Sequence, residues 1–295
     1  MPIYRKGDTL IEGIPNTIEN LRKNGKKIFF VTNNSTKSRK GYLKKFEKLG
    51  LKVYPEGNES SNLLSFVFNC SYFTEIFASS FAAAAFLEMN PLPTGKKVYY
   101  IGQEGIGEEL DLLGIPYLGG PADSGKTVQL GPTVKIDHDP NVAAVIVGFD
   151  LNINYYKIQY AQLCINNNPN CLFIATNLDS VKHLTPIQEW AGNGAIVGAI
   201  KGCTNKEPIL VGKPSSLLID YITKKYSLNK SRVVMVGDRL DTDIVFGQSN
   251  GVRTILTLSG VTKKEFLFSS ENKVHPEYYV NSIADFFPSS TSSSH

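Results

Sequence analysis

The chain has 295 residues, 42% of them hydrophobic, and its 31 basic and 27 acidic residues leave a formal charge of only +4. This composition can supply an ordinary globular core in one large domain or two modest ones. The small net charge and the scattered basic residues argue against a nucleic-acid partner.

No segment approaches the roughly 18 uninterrupted apolar residues of a membrane span, and the first residues lack the basic-then-apolar pattern of a secretion signal. We therefore predict a cytoplasmic protein without a membrane partner. The four cysteines form no C-x-x-C pair, and the four histidines stand far apart. The sequence suggests neither a zinc site nor a disulfide framework, and we expect reduced, mostly buried thiols.

Short apolar runs rich in β-forming residues recur along the chain, each followed after a turn by a stretch compatible with a helix. Strands that alternate with helices at this spacing predict an α/β fold with a mostly parallel, doubly wound sheet. An alanine-rich stretch at 78–89 is predicted to be helical. The predicted strands are KKIFFV at 26–31, KVYYIG at 97–102, AAVIVG at 143–148, CLFIAT at 171–176, PILVG at 208–212, VVMVG at 233–237 and TILTL at 254–258.

Polar side chains follow three of these runs. Residues 32–36, Thr-Asn-Asn-Ser-Thr, follow the first run, Lys213 follows PILVG, and Asp238 follows VVMVG. Because ligands of open α/β sheets bind beyond the carboxyl ends of the strands, we expect these groups to converge on one edge of the sheet. The strand ends at 102–104 and 148–150 carry no comparable set.

This asymmetry predicts two domains. A core formed by residues 1–91 and 204–295 would carry the site, and a middle α/β module at 92–203 would be inserted into it. Residues 55–72 do not fit this alternation of strands and helices, because they begin as a polar loop and continue as an apolar patch without a clear period.

The acidic cluster after VVMVG suggests a metal site. Asp238 and Asp243 would bring two hard oxygen ligands to one point if the intervening loop turned into a helix, and such ligands suit Mg²⁺. Asp241 could pair with Arg239. The alternative is an acidic first turn that complements a helix dipole, which explains one aspartate better than three.

The other two strand ends suggest phosphate binding. Thr32, with the amides of Asn33 and Asn34, offers donors for phosphate oxygens, although an ordinary turn and helix cap would have the same composition. Lys213 precedes Pro214, which favours an extended conformation for the lysine. Its charge could neutralise a phosphate or a carboxylate nucleophile, or it could simply be solvated.

These motifs together resemble the haloacid dehalogenase superfamily, in its branch of 4-nitrophenylphosphatases, phosphoglycolate phosphatases and pyridoxal phosphate phosphatases. The resemblance spans nearly the whole chain outside 55–72 and the C-terminal tail. Its matching stretches are VTNNSTKS (31–38), IFASSFAAAAFL (76–87), KVYYIGQEGI (97–106), IVGFDLNINYYK (146–157), FIATNLD (173–179), GNGAIVGAI (192–200), VGKPS (211–215), VGDRLDTDIVFG (236–247) and HPEYYVNSIADF (275–286).

The resemblance implies a Rossmann-like core with an inserted C2-type cap, and a Mg²⁺-dependent phosphomonoesterase that forms an aspartyl-phosphate. It makes Thr32 and Asn33 the phosphate-binding second motif and Lys213 the lysine of the third motif. Asp238 becomes the Mg²⁺ ligand, and Asp243 supports the metal and its waters. Of these, Thr32 and Lys213 would act directly in catalysis.

The resemblance also implies a small phosphorylated metabolite as the substrate and allows a homodimer through the cap. Cap residues from Trp190 to Gly194 are expected to contact the substrate. Glycolate, pyridoxal and aryl leaving groups are not separated by the sequence, and fold analogy alone does not choose among them.

One part of the family pattern is missing: the D-x-D-G first motif, which carries the nucleophile. It should precede residues 5–13, and Asp8 aligns with the loop that follows it. We therefore expect the 295-residue chain to show little or no turnover. Either it is an incomplete gene product, as the unmatched segment 55–72 favours, or it is a non-catalytic phosphate-binding or regulatory protein.

Overall fold

The computed structural model describes residues 5–6, 9–53, 75–185 and 187–287. Asp8, Cys70 and the segment 55–72 lie outside these ranges, so expectations about them remain predictions.

Strands and short helices alternate along the described chain. The strands are β1 (Arg5–Lys6), β2 (Thr9–Leu10), β3 (Phe30–Thr32), β4 (Ile76–Ala78), β5 (Lys97–Ile101), β6 (Tyr117–Gly119), β7 (Val142–Val147), β8 (Leu172–Ala175), β9 (Val181–Lys182), β10 (Trp190–Ala191), β11 (Ile209–Leu210), β12 (Val234–Gly237), β13 (Arg253–Thr257) and β14 (Tyr278–Val280). The helices are α1 (Ile14–Lys23), α2 (Arg39–Lys48), α3 (Ser79–Met89), α4 (Glu104–Leu112), α5 (Tyr155–Asn167), α6 (Asn193–Thr204), α7 (Leu217–Lys225), α8 (Val245–Ser249) and α9 (Lys264–Leu267). A π-helical turn, Leu240–Ile244, leads into α8.

The chain divides into two compact units. The first comprises the described parts of Met1–Phe29, Phe46–Val53 and Ile219–His295, and the second comprises those of Phe30–Lys45 and Tyr54–Leu218. The predicted boundaries of core and cap, at residues 91 and 203, stay a prediction.

The second unit is built on a five-stranded parallel sheet with the strand order β11–β8–β7–β5–β6. Strands β5 and β7 read KVYYI and VAAVIV, and such β-branched and aromatic runs suit strands that are buried on both faces. Ile165 of α5 and Val197 of α6 join Val145 and Phe173 in one buried core. Each such burial stabilises the fold by about 1.5–3 kcal/mol.

The first unit contains a three-stranded parallel sheet with the order β12–β13–β14. Leu240 and Ile244 of the π turn pack with Leu256 of β13 and Leu267 of α9. This packing fixes the path of the chain directly after β12, where the aspartate cluster lies.

The predicted α/β class with mostly parallel strands is confirmed. Each of the seven predicted runs overlaps a strand, and the alanine-rich stretch forms α3. Strand β3 is shorter than predicted, because residues 26–29 form no strand. Its partner β4 was not predicted.

The expectation that all three polar strand ends lie on one edge of one sheet is wrong. Among the strands that the structure describes, β3 pairs with β4 and β12 pairs with β13, in two separate sheets. Strand β11 belongs to the five-stranded sheet, because Ile209 and Leu210 take Ile174 and Ala175 of β8 as their partners.

Other expectations concern the membrane and the thiols. Within the described ranges, no helix is long and apolar enough to cross a membrane. Cys164 and Cys171 are free and buried, and burial raises the pKa of their thiols to about 12 and about 11. Cys203 is free and exposed, so two of these three thiols are buried as predicted.

Candidate active site

The acidic turn, residues 237–244, folds two of its three aspartates into the first unit. Asp238 and Asp243 are 6% and 5% exposed. One carboxylate oxygen of Asp243, Oδ2, accepts hydrogen bonds from the backbone N–H groups of Asp238 (3.0 Å) and Arg239 (3.2 Å). The Oδ2 atom of Asp238 accepts one from the N–H of Val261 at 3.0 Å. The π turn therefore brings together the two aspartates that stand five positions apart in the sequence.

Two glycines allow the backbone to pack directly on these carboxylates. A Cβ atom at Gly260 would lie 2.2 Å from Oδ2 of Asp238, and one at Gly237 would lie 2.2 Å from the Cβ atom of Asp243. Any other residue at either position would displace a carboxylate. Asp241 is exposed instead, and both its oxygens accept from the guanidinium of Arg239 at 3.0 and 2.6 Å, which confirms the predicted local pair.

The donor set of the acidic turn fits a hard divalent cation. Burial raises the pKa of Asp238 above its ordinary value, and the negative charge of Asp243 adds to this effect. A cation would offset both costs. The nearby Ser259 hydroxyl is buried and has no hydrogen-bond partner among the described residues. In the same ranges no group of three or more His, Cys, Asp or Glu side chains could hold a metal, but Mg²⁺ is commonly held by one or two carboxylates, with water and phosphate oxygens completing its shell.

The Thr32 loop, residues 32–36, follows β3 in the second unit. The N–H of Asn34 donates to Oγ1 of Thr32 at 3.2 Å, and the N–H of Thr36 donates to Oδ1 of Asn34 at 3.1 Å. These are the bonds of an ordinary Asn/Thr turn. The phosphate-binding role of Thr32, Asn33 and Asn34 stays a prediction.

The side chain of Asn33 clamps the backbone of Lys213, 180 residues away in the sequence. Its Oδ1 accepts from the N–H of Lys213 at 2.8 Å, and its Nδ2 donates to the carbonyl oxygen of Lys213 at 3.0 Å. The Lys213 ammonium donates to the carbonyl oxygen of Val31 at 3.0 Å. Lys213 is only 7% exposed, so it is not a solvated charge. A side-chain clamp, rather than a shared sheet edge, thus joins the lysine to the Thr32 loop.

Strand β8 also ends in polar groups, and these lie beside Asn33. They were not among the polar strand ends predicted from the sequence. In the TNLD turn, residues 176–179, Nδ2 of Asn177 donates to the carbonyl oxygen of Asn33 at 2.7 Å, and Oδ1 of Asp179 accepts from Nδ2 of Asn33 at 3.1 Å. The signal was present, because Asn177 directly follows the apolar run CLFIAT. Lys182, whose ammonium donates to Oδ1 of Asn34 at 3.2 Å, has no such signal.

The segment expected to contact the substrate, residues 190–194, supports the TNLD turn. Trp190 is exposed, and its indole N–H donates to Oγ1 of Thr185 at 3.0 Å. Asn193 is buried and donates to the carbonyl oxygen of Asn177 at 2.8 Å. Contact of this segment with a substrate stays a prediction.

Replacing Asn33 with alanine is expected to destabilise the protein. The change removes the clamp and leaves two buried backbone groups of Lys213 without these bonds, which costs about 1–3 kcal/mol. We expect the melting temperature to fall by about 2–8 °C. Asn90→Ala is the matched control, because the Asn90 amide also donates to a backbone carbonyl, that of Phe86 at 2.9 Å, but at an exposed site. Equal melting temperatures for the two variants would contradict the clamp.

Comparison with known proteins identifies the family. A family model described as haloacid dehalogenase-like hydrolase matches residues 3–116, and a second, HAD-hydrolase-like, matches residues 210–286. The chain is 55% identical over 281 residues to phosphoglycolate phosphatase 1A, chloroplastic, of Arabidopsis thaliana, which covers 95% of this chain and 73% of that protein. It is 35% identical over 294 residues to human glycerol-3-phosphate phosphatase, covering 96% of this chain and 86% of that one.

A solved structure shows the same fold. The p-nitrophenyl phosphatase of Archaeoglobus fulgidus is 28% identical, with a TM-score of 0.76, over 96% of this chain and 94% of that one. This chain belongs to the haloacid dehalogenase-like hydrolases, as the sequence motifs predicted. Within that family its relatives are phosphatases, so the enzyme class is phosphatase.

Proposed function

We propose that this protein is a Mg²⁺-dependent phosphomonoesterase of small phosphorylated metabolites, of the phosphoglycolate or 4-nitrophenyl phosphate type. The observation that carries the proposal is the Asn33 clamp, which holds a buried lysine against a Thr-Asn-Asn loop. A buried lysine whose ammonium bonds to Val31, the residue before Thr32, is suited to a dianionic phosphate held by that loop. The names of the relatives support phosphomonoesters as the substrate class.

Each candidate residue has a distinct task in this proposal. Thr32, Asn33 and Asn34 would hold phosphate oxygens, and the Lys213 ammonium would neutralise negative charge that develops as the ester bond breaks. Asp238 and Asp243 would hold Mg²⁺. When bound, the ion would polarise a phosphate oxygen and offset the charge of the phosphate group.

The overall reaction breaks the bond between phosphorus and the ester oxygen. Water supplies a hydroxyl group to phosphorus and a proton to the leaving alcohol. The family mechanism divides this displacement into two steps through an aspartyl-phosphate. The aspartate of that intermediate is outside the residues that the proposal assigns, and the expected lack of turnover by the 295-residue chain stays a prediction.

The test is release of inorganic phosphate from 2-phosphoglycolate, glycerol 3-phosphate and 4-nitrophenyl phosphate, with Mg²⁺ and with excess chelator. It is run in parallel on the protein purified from its source, with its intact mass measured, and on the 295-residue chain. We expect hydrolysis by the source protein that the chelator abolishes. Hydrolysis that persists without divalent cations would contradict the proposal.

The second candidate is a non-catalytic phosphate-binding or regulatory protein. It would use the same Thr32 loop and clamped lysine for binding alone. It predicts that the source protein binds phosphate or Mg²⁺ without releasing phosphate from any of the three esters. The same assay, combined with calorimetric titration of inorganic phosphate, therefore separates the two functions.

Compartment and assembly belong to the proposal as well. We propose a cytoplasmic protein that pairs through its cap, whereas the name of the Arabidopsis relative places that protein in the chloroplast. Light scattering of the purified chain would give the assembly state, and fractionation of source cells would give the compartment.

A further inference from the structure

Lys182 is a cation beside the Thr32 loop to which the proposed function gives no task. It ends strand β9, where the antiparallel partner Trp190 of β10 fixes its position. Its ammonium donates to Oδ1 of Asn34 at 3.2 Å and lies 3.8 Å from the centroid of the Phe149 ring. Phe149 is itself buried, at 5% exposure. The charge is therefore held between a neutral amide and an aromatic face.

Such a position is costly for a charge that serves only the fold. Burial lowers the pKa of Lys182 to about 8, the nearby Asp179 raises it, and the positive charge of Lys45 lowers it further. An apolar side chain of similar length would pack on Phe149 without this cost. An amide oxygen and an aromatic face also compensate an ammonium less fully than a carboxylate does. The ammonium would therefore gain most from an anionic ligand.

We propose that Lys182 forms a subsite for a second anionic group of the substrate, a carboxylate, and so selects phosphorylated hydroxy acids over phosphorylated alcohols. This inference rests on the proposed function. Asn34, which contacts Lys182 through its side chain, contacts Thr32 through its backbone N–H. The ammonium is thus two hydrogen bonds away from the Thr32 hydroxyl. We therefore expect the carboxylate to lie close to the phosphate ester within the substrate, as it does in 2-phosphoglycolate.

The test compares binding of two esters of similar size by calorimetric titration of the full 295-residue chain. The probes are 2-phosphoglycolate, which carries a carboxylate, and glycerol 3-phosphate, which carries hydroxyl groups instead. Lys182→Met should weaken binding of 2-phosphoglycolate on the order of 10-fold to 100-fold, the value of one charged hydrogen bond. Binding of glycerol 3-phosphate should change less than about 3-fold.

Two further variants control for charge and for structure. Lys182→Arg keeps the positive charge and should restore most of the preference for 2-phosphoglycolate. Lys135→Met removes an exposed lysine that pairs with Asp137 and should leave both affinities unchanged. Lys182→Met removes a partly buried charge, so the variant should melt at the same temperature as the wild type or higher. A variant that binds 2-phosphoglycolate weakly but melts normally has lost a ligand contact and not its fold.

The preference should also depend on pH. Since the pKa of Lys182 is about 8, its ammonium is protonated below that pH and loses its proton above it. The ratio of the affinities for 2-phosphoglycolate and glycerol 3-phosphate should fall as the pH rises from 7 to 9.5. Asp179 and Lys45 are the other charged groups that act on Lys182. In Lys182→Met the ratio should stay flat.

Equal weakening of both ligands, or no change in either, would overturn the subsite and leave the phosphatase proposal intact. A wild-type chain that binds neither ester would overturn the subsite as well. Conversely, a Lys182-dependent preference in a source protein that hydrolyses no ester would uphold the subsite and contradict the phosphatase proposal.

Discussion

In the protein purified from its source, the Asp238→Asn substitution is expected to lower Mg²⁺-dependent phosphatase activity by a factor on the order of 10³ or more, because a bound metal supplies several kcal/mol of charge stabilisation. Asparagine keeps an oxygen that can accept from the N–H of Val261, so the turn should retain its shape. The change also removes one of two buried carboxylates that repel each other. Without Mg²⁺, the variant should therefore be at least as stable as the wild type.

Thermal unfolding gives a second readout that does not depend on turnover. A ligand that binds the folded state raises the melting temperature by mass action, so millimolar Mg²⁺ should stabilise the wild-type chain and leave Asp238→Asn unchanged. Asp241→Asn is the matched control, because Asp241 lies in the same turn but is exposed and paired with Arg239. Retained hydrolysis in Asp238→Asn, or loss of Mg²⁺ stabilisation in Asp241→Asn, would refute the assignment.

Much of the fold was accessible from the sequence because buried parallel strands are short, apolar and β-branched. Strands β5, β7 and β12 begin or end within one residue of their predicted positions. Such runs can be recognised as strands from the sequence alone, since burial on both faces excludes polar side chains. Strand β3 shows the limit of this signal, because four residues of its predicted run, 26–29, form no strand.

The partners of each strand were not accessible. The sequence PILVG is compatible with an edge strand of any parallel sheet. Only three-dimensional packing places Ile209 beside Ile174 of β8. For this reason the expected common edge of one sheet is wrong, although Lys213 and the Thr32 loop still meet. A side chain, that of Asn33, joins them across 180 residues, and no local pattern in the sequence encodes such a contact.

In the candidate site, too, some residues could be predicted from the sequence and others could not. The aspartates of the acidic turn are five residues apart, so their proximity follows from local chain geometry and could be predicted. Lys182 lies in a two-residue strand of an otherwise irregular segment, where neither period nor motif marks it. Its position depends on a cross-strand pairing with Trp190 that only the fold supplies.

In the protein purified from its source, replacing Lys213 with alanine is expected to lower the phosphatase rate by about 10²- to 10³-fold while leaving the fold intact. The rate loss has the size found when one preorganised group that stabilises transition-state charge is removed. Losing the hydrogen bond from the ammonium to the carbonyl oxygen of Val31 should cost about 1 kcal/mol. The Asn33 clamp holds backbone atoms of residue 213 and should survive the substitution.

Lys206→Ala is a control matched in chemistry. The Lys206 ammonium also donates to a backbone carbonyl, that of Ile165 at 2.6 Å, although Lys206 itself is exposed. Both variants should therefore melt within about 2–4 °C of the wild type. Of these two lysines, Lys213 adjoins the Thr32 loop and Lys206 does not, so the Lys213 variant alone should lose rate and affinity for inorganic phosphate. If the two variants lost equal rate, or if Lys213→Ala kept more than about a third of the wild-type rate, the lysine would be a structural tie to Val31 rather than a group that acts on the phosphate.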